Sequence, residues 1–137
     1  MLFKDFGILV INLNIKNNWE YMETGTYIIC DFFECSKNTS LLVDTYGLKR
    51  EMIEIIQKSE LSVLDEKFFK FDNGGITAVV LLAESHFAIH TWPEKDNFLT
   101  IDIFVCNHKR ENSDKAEKVF NLIKELFDPK KVVRRIL

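Results

Sequence analysis

The chain has 137 residues, with 18 Lys+Arg, 21 Asp+Glu, a formal net charge of −3 and 47% hydrophobic residues. That length fits one domain, and the apolar content is enough to build a core, which argues against disorder. The lack of a basic excess argues against a module built to neutralise nucleic-acid phosphates. Twelve Phe are many for this length, and such rings supply large buried areas to a core and to an interface.

The apolar run 6–13 lacks a basic stretch before it and a small-residue cleavage site after it, so it does not read as a signal peptide. It is also far short of the roughly 20 apolar residues a spanning helix needs. It predicts a buried strand over 6–15 in a soluble, cytoplasmic protein with no membrane partner. Residues 16–24 are polar and loop-like. Gly25 opens a second strand over 27–33, rich in β-formers. Residues 35–39 form a turn, and Asn38, Thr39 and Ser40 can each cap a helix. Apolar positions 42, 46, 48, 52, 53, 55 and 56 predict a helix over 41–58, weakened in its middle by Gly47.

A strand follows over 61–71. Asp72-Asn73-Gly74-Gly75 is a turn, since Asn and Gly accept positive φ cheaply. The run 76–83 is almost continuously apolar and predicts a central strand buried on both faces. Strands over 87–92 and 98–106 are separated by 93–97. Ala116, Val119, Phe120, Ile123, Leu126 and Phe127 share one face of a helix beginning at Asn112 or Ser113. Asp128-Pro129 stops that helix, and 132–137 is a short terminal strand. The order β-β-α-β-β-β-β-α-β predicts a two-layer α+β sandwich, with helices on one face of a largely antiparallel sheet. The other face is left for a partner protomer.

Cys30, Cys35 and Cys106 are odd in number and contain no C-x-x-C pair, which supports neither a disulfide framework nor a zinc site. By residue type alone each is a small buried hydrophobe. Residues 84–94 read E-S-H-F-A-I-H-T-W-P-E. Ser85 with His86 or His90 could pair a nucleophile with a base. A polar strand edge with two ordinary histidines accounts for the same residues, because no nucleophile elbow surrounds the serine. Glu84, His86 and His90 could in principle ligate a metal, but the His spacings do not form a persuasive set, and no metal is expected.

The string 84–94, followed by I-D-I-F-V-C at 101–106, resembles the small prokaryotic form of the S-adenosylmethionine decarboxylase family. That family's hallmark is E-S-H-x-x-I-H-T-W/Y-P-E and then a strand of D-x-F/Y-x-C type. The likeness runs from about Gly25, including G-T-Y-I-I-C-D-F-F-E-C, through Cys106, and residues 1–24 look like an extension. The resemblance implies a proenzyme that cuts itself between Glu84 and Ser85. Ser85 would attack the Glu84 carbonyl, and elimination and hydrolysis would leave a pyruvoyl group derived from Ser85. That group is a cofactor able to condense with the substrate amine as a Schiff base and act as an electron sink.

By the same resemblance, His90 is the base of the elimination and Thr77 stands where the family has a serine that assists processing. Thr keeps the hydroxyl and adds a β-methyl that stiffens χ1. Cys106 is the general acid that reprotonates the substrate α-carbon. A thiol with the ordinary pKa of about 8.5 holds its proton at neutral pH, as a donor must. Phe71 would stack on adenine beside the sulfonium; its residue type fits a core Phe equally well. Glu94 would bind the ribose hydroxyls, or is a solvated turn residue. A homodimer with sites shared at its interface is implied.

The sequence departs from the family pattern after Glu94. Lys95-Asp96-Asn97-Phe98-Leu99-Thr100 replaces an aromatic-Gly-Tyr-Ala-Ala-like stretch and is one residue longer. This leaves pyruvoyl-dependent decarboxylation of L-ornithine or L-arginine as an alternative. A catalytically silent regulatory homologue is a third reading, and retention of Glu84, Ser85, His90 and Cys106 argues against it. Geometry adds a constraint. If Glu84–Ser85 were a tight hairpin tip, His90 would face Val79 and Thr77 would lie near Trp92. Both would then be about 15–20 Å from Ser85, too far for base chemistry. Ser85 is therefore expected within or at the end of a strand, unless the sheet folds differently.

Overall fold

The computed structural model describes residues 2–5, 8–11, 25–107 and 110–135. Strands β1 (Leu2–Asp5) and β2 (Ile8–Ile11) pair antiparallel in a two-stranded sheet of their own. The single strand expected over 6–15 is thus two short ones within 2–11, because the chain reverses between Asp5 and Ile8 and pairs with itself. Residues 12–15, the loop 16–24 and positions 136–137 lie outside the described residues.

The main sheet is built from β3 (Gly25–Cys35), β4 (Val63–Lys70), β5 (Ile76–Leu82), β6 (Ser85–Trp92), β7 (Phe98–Cys106) and β8 (Pro129–Arg135). Its spatial order is β4-β5-β6-β7-β3-β8, and every adjacent pair is antiparallel. Helices α1 (Thr45–Lys58) and α2 (Ser113–Phe127) cover one face. This is the two-layer α+β sandwich that the order of elements predicts.

Residues Thr39–Leu42 form a short 3-10 helix, and α1 begins at Thr45 instead of Leu41. Asp44 sets that start, since its Oδ1 accepts from the Gly47 N–H at 3.0 Å, the geometry of an N-cap. Gly47 therefore lies in the first turn, beneath the capping carboxylate, where a Cβ would collide with Asp44 Oδ2. The last strand starts at Pro129, three residues earlier than expected, because Asp128 turns the chain sharply in a left-handed conformation (φ 43°).

Period-two alternation separates the two sheet faces. Ile28, Cys30, Phe32, Ala78, Val80, Phe87, Ile89, Leu99, Ile101 and Ile103 are buried toward the helices. There they meet Leu48, Met52 and Ile56 of α1 and Val119, Ile123 and Phe127 of α2 in one core. Thr91, from the signature string, is buried among them. Its hydroxyl donates to the Leu42 carbonyl at 2.7 Å and accepts from the Ile76 N–H at 2.9 Å, tying β6 to β5 and the 3-10 helix.

Among the described residues, the opposite face carries no helix. Its residues fall in rows across the strands, fixed by register. Tyr27, Phe104, His86 and Leu81 form one row. Ile29, Asp102, Ala88 and Val79 form the next, and Asp31, Thr100, His90, Thr77 and Phe69 the third. Phe33, Phe98 and Trp92 pack at the far end, with ring centroids 4.9 and 5.3 Å apart. Val79 (47% exposed) and Leu81 (50%) stand open on this face.

Candidate active site

The chain turns between β5 and β6 in two residues, Ala83 and Glu84, and Leu82 pairs with Ser85. Ser85 is thus the first residue of β6, at φ 146°. That backbone conformation is one L side chains rarely adopt, and it stores strain. On its other side Ser85 pairs with Val105, and the Cys106 N–H donates to the Glu84 carbonyl at 2.7 Å. Glu84, Ser85 and Cys106 therefore form one cluster at the mouth of the β5–β6 hairpin.

The Cys106 backbone is held from its other end as well. Asn112, at the N-cap of α2, donates from Nδ2 to the Cys106 carbonyl at 2.7 Å and is itself 5% exposed. The Glu84 carboxylate accepts from the Ser62 N–H at 2.8 Å. None of these three hydrogen bonds is marked by a sequence motif. The pairing of 85–92 with 98–106 carries the Cys106–Glu84 bond, whereas the other two come from the residue before β4 and the start of α2.

His90 and Thr77 meet at the opposite end of the same strands. They are register partners, and Thr77 Oγ1 lies 3.1 Å from His90 Nδ1. With Nδ1–H given to Thr77, Nε2 is left to take a proton. His90 thus faces Thr77, where the tight-tip construction put it opposite Val79. The turn falls at Ala83–Glu84 and shifts the register by two. The separation from Ser85 persists: five residues of strand at about 3.3 Å each place His90 roughly 16 Å away.

Phe71 and Glu94 lie at the His90 end. Phe71 follows β4, bonds through its N–H to the Gly75 carbonyl at 2.8 Å, and packs edge-on against Phe69 at 5.1 Å. At 50% exposure it is not a core residue. Glu94 is exposed in the β6–β7 turn. That turn spans 93–97, where Asp96 and Asn97 take positive φ of 52° and 55°. Phe98, Leu99 and Thr100 of the divergent stretch are already strand.

His86, Asp102 and Tyr27 form a third group. His86 Nε2 is 3.3 Å from Asp102 Oδ1, and the Tyr27 hydroxyl donates to Asp102 Oδ2 at 3.2 Å. Burial, with the Asp102 charge beside it, raises the Tyr27 phenol above its ordinary value. Glu84, His86 and His90 thus have three different partners: Ser62, Asp102 and Thr77. Among the described residues no group of three His, Cys, Asp or Glu is placed to hold a metal, and no helix is long and apolar enough to cross a membrane.

The fold and this cluster define a two-layer α+β protein whose signature hairpin opens on a strained serine backed by a cysteine strand. The family model for S-adenosylmethionine decarboxylase matches residues 26–137, and the chain belongs to that family. It is 36% identical over 118 residues to an S-adenosylmethionine decarboxylase proenzyme 2 of Bacillus cereus, covering 85% of this chain and 94% of that one. It is also 36% identical over 100 residues to the S-adenosylmethionine decarboxylase proenzyme of Archaeoglobus fulgidus, covering 65% of this chain and 85% of that one. The crystal structure of the adenosylmethionine decarboxylase from Aquifex aeolicus superposes with a TM-score of 0.69 at 24% identity, over 83% of this chain and 88% of that one. That likeness shows the shared fold.

Proposed function

We propose that the chain is a self-cleaving proenzyme and, once cut between Glu84 and Ser85, a pyruvoyl-dependent decarboxylase of S-adenosylmethionine. Its product would be the aminopropyl donor for spermidine. The observation that carries this reading is the hairpin mouth, where Ser85 is strained at φ 146° and the carbonyl before it is already hydrogen-bonded to Cys106. Family membership supplies the substrate, since the relatives are named for it.

The residues present fit the pyruvoyl group. Ser85 begins a strand, so a break before it leaves β6 paired on both sides, and Cys106 is one residue beyond its partner Val105. When present, the group supplies a carbonyl that condenses with a primary amine and draws off the electron pair left by departing carbon dioxide. The Cys106 thiol would return a proton to the substrate α-carbon. The Phe71 ring would take the adenine on its face, the Glu94 carboxylate would accept the ribose hydroxyls, and Thr77 would orient His90 as the base of chain cleavage.

Those roles call for two copies of the chain. Ser85 with Cys106 forms one half-site, and Thr77 with His90, Phe71 and Glu94 forms the other, roughly 16 Å off along the strands. Two helix-free faces can pack against each other about 10 Å apart. A two-fold axis lying between them and crossing the strands over Ala88 and Asp102 brings each Ser85 end to a partner's His90 end. The exposed Val79, Leu81 and Phe69 on that face support the packing, because apolar side chains clustered on one surface mark an interface.

Denaturing mass spectrometry of the purified chain tests the reading. Fragments 1–84 and 85–137 are expected, the second with a blocked N-terminus, and a chain that stays whole overturns it. Release of carbon dioxide from S-adenosylmethionine, ornithine and arginine side by side then reads the substrate, and preference for either amino acid would overturn the assignment.

A further inference from the structure

We infer that the Glu84 side chain is a positioning residue for self-cleavage: its bond to Ser62 and the Cys106 bond to its carbonyl clamp the scissile peptide between two strands, so that the strain of the turn falls on Ser85. The inference rests on the self-cleavage reading and adds a part that the carbonyl role of Glu84 does not contain. Two-residue hairpin loops ordinarily take positive φ within the loop, which is why Gly and Asn are favoured there. Here neither Ala83 nor Glu84 has positive φ, and Ser85, the first strand residue, does. The displaced strain has a visible cause. Ala83 donates from its N–H to the Ser62 carbonyl at 2.9 Å, and Glu84 Oε1 accepts from the Ser62 N–H at 2.8 Å. Ser62 therefore fixes both loop residues from the side of β4. The Cys106 N–H fixes the Glu84 carbonyl from the side of β7, and Asn112 holds Cys106 in turn. With both flanks pinned, Ser85 is where the backbone is left to distort.

The chemistry uses each fixture. The Ser85 Oγ bonds to the Glu84 carbonyl carbon, and its proton ends on the Ser85 nitrogen as the C–N bond breaks, which gives an ester and an amine with no other reactant. In between, the Glu84 oxygen carries negative charge, and the Cys106 N–H already points at that oxygen. A fixed donor of this kind lowers the barrier because it needs no reorganisation when the charge develops. Breaking the strained amide also releases the distortion at Ser85, so the clamp favours the ester over the peptide. The later elimination removes the Ser85 α-proton and frees Glu84 as a chain end, and it does not need the clamp.

The test follows newly synthesised full-length chain by denaturing mass spectrometry, with hydroxylamine added to aliquots to cut any ester. Glu84→Ala removes the acceptor, and Glu84→Gln keeps an oxygen for the Ser62 N–H. Ser62→Pro removes the donor and leaves Glu84 untouched; β4 is an edge strand, and proline is tolerated where an edge strand begins. Both Glu84→Ala and Ser62→Pro are expected to slow ester formation by about tenfold or more, equivalent to ~1.4 kcal/mol of barrier. Glu84→Gln should restore most of the rate, and the ester, once formed, should eliminate at the wild-type rate in all three. Ester formation at the wild-type rate in Glu84→Ala or Ser62→Pro overturns the clamp, as does a defect confined to elimination. A wild-type chain that never cuts overturns the self-cleavage reading itself, and the clamp with it.

Discussion

The shared site can be tested by mixing two disabled chains. Ser85→Ala cannot be cut but keeps Thr77 and His90, and His90→Ala keeps Ser85 and Cys106. Within one chain His90 is roughly 16 Å from Ser85, whereas proton transfer needs about 3 Å, directly or through one water. Neither homodimer should therefore yield fragments 1–84 and 85–137. The His90→Ala homodimer should stall at the ester, which hydroxylamine cuts. In a mixed dimer, Ser85 of the His90→Ala chain meets His90 of its partner, and one of the two sites is whole. Random pairing places about half of the His90→Ala chains in mixed dimers. Co-expression at equal levels should thus process about half of the His90→Ala chains, none of the Ser85→Ala chains, and restore about a quarter of the wild-type decarboxylation. The assay is denaturing mass spectrometry of the mixture, with native mass spectrometry to confirm that mixed dimers are present. Mixed dimers in which no His90→Ala chain is cut would refute the two-fold arrangement, and so would His90→Ala alone cutting at the wild-type rate.

Three further outcomes follow from the structure. Leu81→Lys puts a charge on the helix-free face, and burying an unpaired ammonium costs at least ~2–3 kcal/mol per protomer; sedimentation should show monomers that stay uncut, and a dimer of wild-type affinity would remove this face from the interface. Burial pushes the Cys30 thiol up to about 12 and the Cys35 thiol up to about 11, so alkylation at neutral pH should reach the half-buried Cys106 first and the other two only on unfolding, as peptide mapping would read. The Arg134 hydrogen bonds hold the Glu117 carboxyl below the ordinary carboxylate range, so its stabilisation is full above the unfolded value of about 4.3 and is lost as pH falls through the lower folded value. The pair is partly exposed and worth about 0.5–1 kcal/mol; urea midpoints of wild type and Glu117→Gln should differ near pH 7 and converge in acid, and a gap that persists in acid would count against the pair.

Much of the fold could be read because its signals are local. The apolar positions of α2, Ala116, Val119, Phe120 and Ile123, recur at helical spacing and are buried. The run 76–82 shows its burial directly, although it alternates in the sheet, with Val79 and Leu81 on the open face. The expectation of burial on both faces fails there because Val79 and Leu81 are apolar yet exposed, and an unbroken apolar run cannot be told from a strand covered on both sides. The start of α1 is not legible locally, because Asn38, Thr39, Ser40 and Asp44 are all competent caps and the choice depends on whose side chain reaches a backbone N–H. The split of the first strand shows only in the pairing of Leu2–Asp5 with Ile8–Ile11, which the apolar run does not signal.

At the site, residue identity was legible and geometry was not. E-S-H-F-A-I-H-T-W-P-E holds Ser85 and His90 within five residues of each other, yet an extended strand carries them toward opposite ends. The same string hides a division of labour. Thr91 serves the core, His86 leans on Asp102, and His90 belongs with Thr77 across the β5–β6 pair. The deciding quantity is the position of a two-residue turn. Placing it at Ala83–Glu84 makes Thr77 face His90, leaves Ser85 as the strained first residue of β6, and sets Glu84 under the Cys106 N–H. A one-residue slip would reverse the faces of the strand, bury His90 against the helices and open Thr91 to solvent. The two buried bonds of Thr91 oppose that slip, so this threonine, remote from the Glu84–Ser85 peptide, fixes the register on which the hairpin mouth depends.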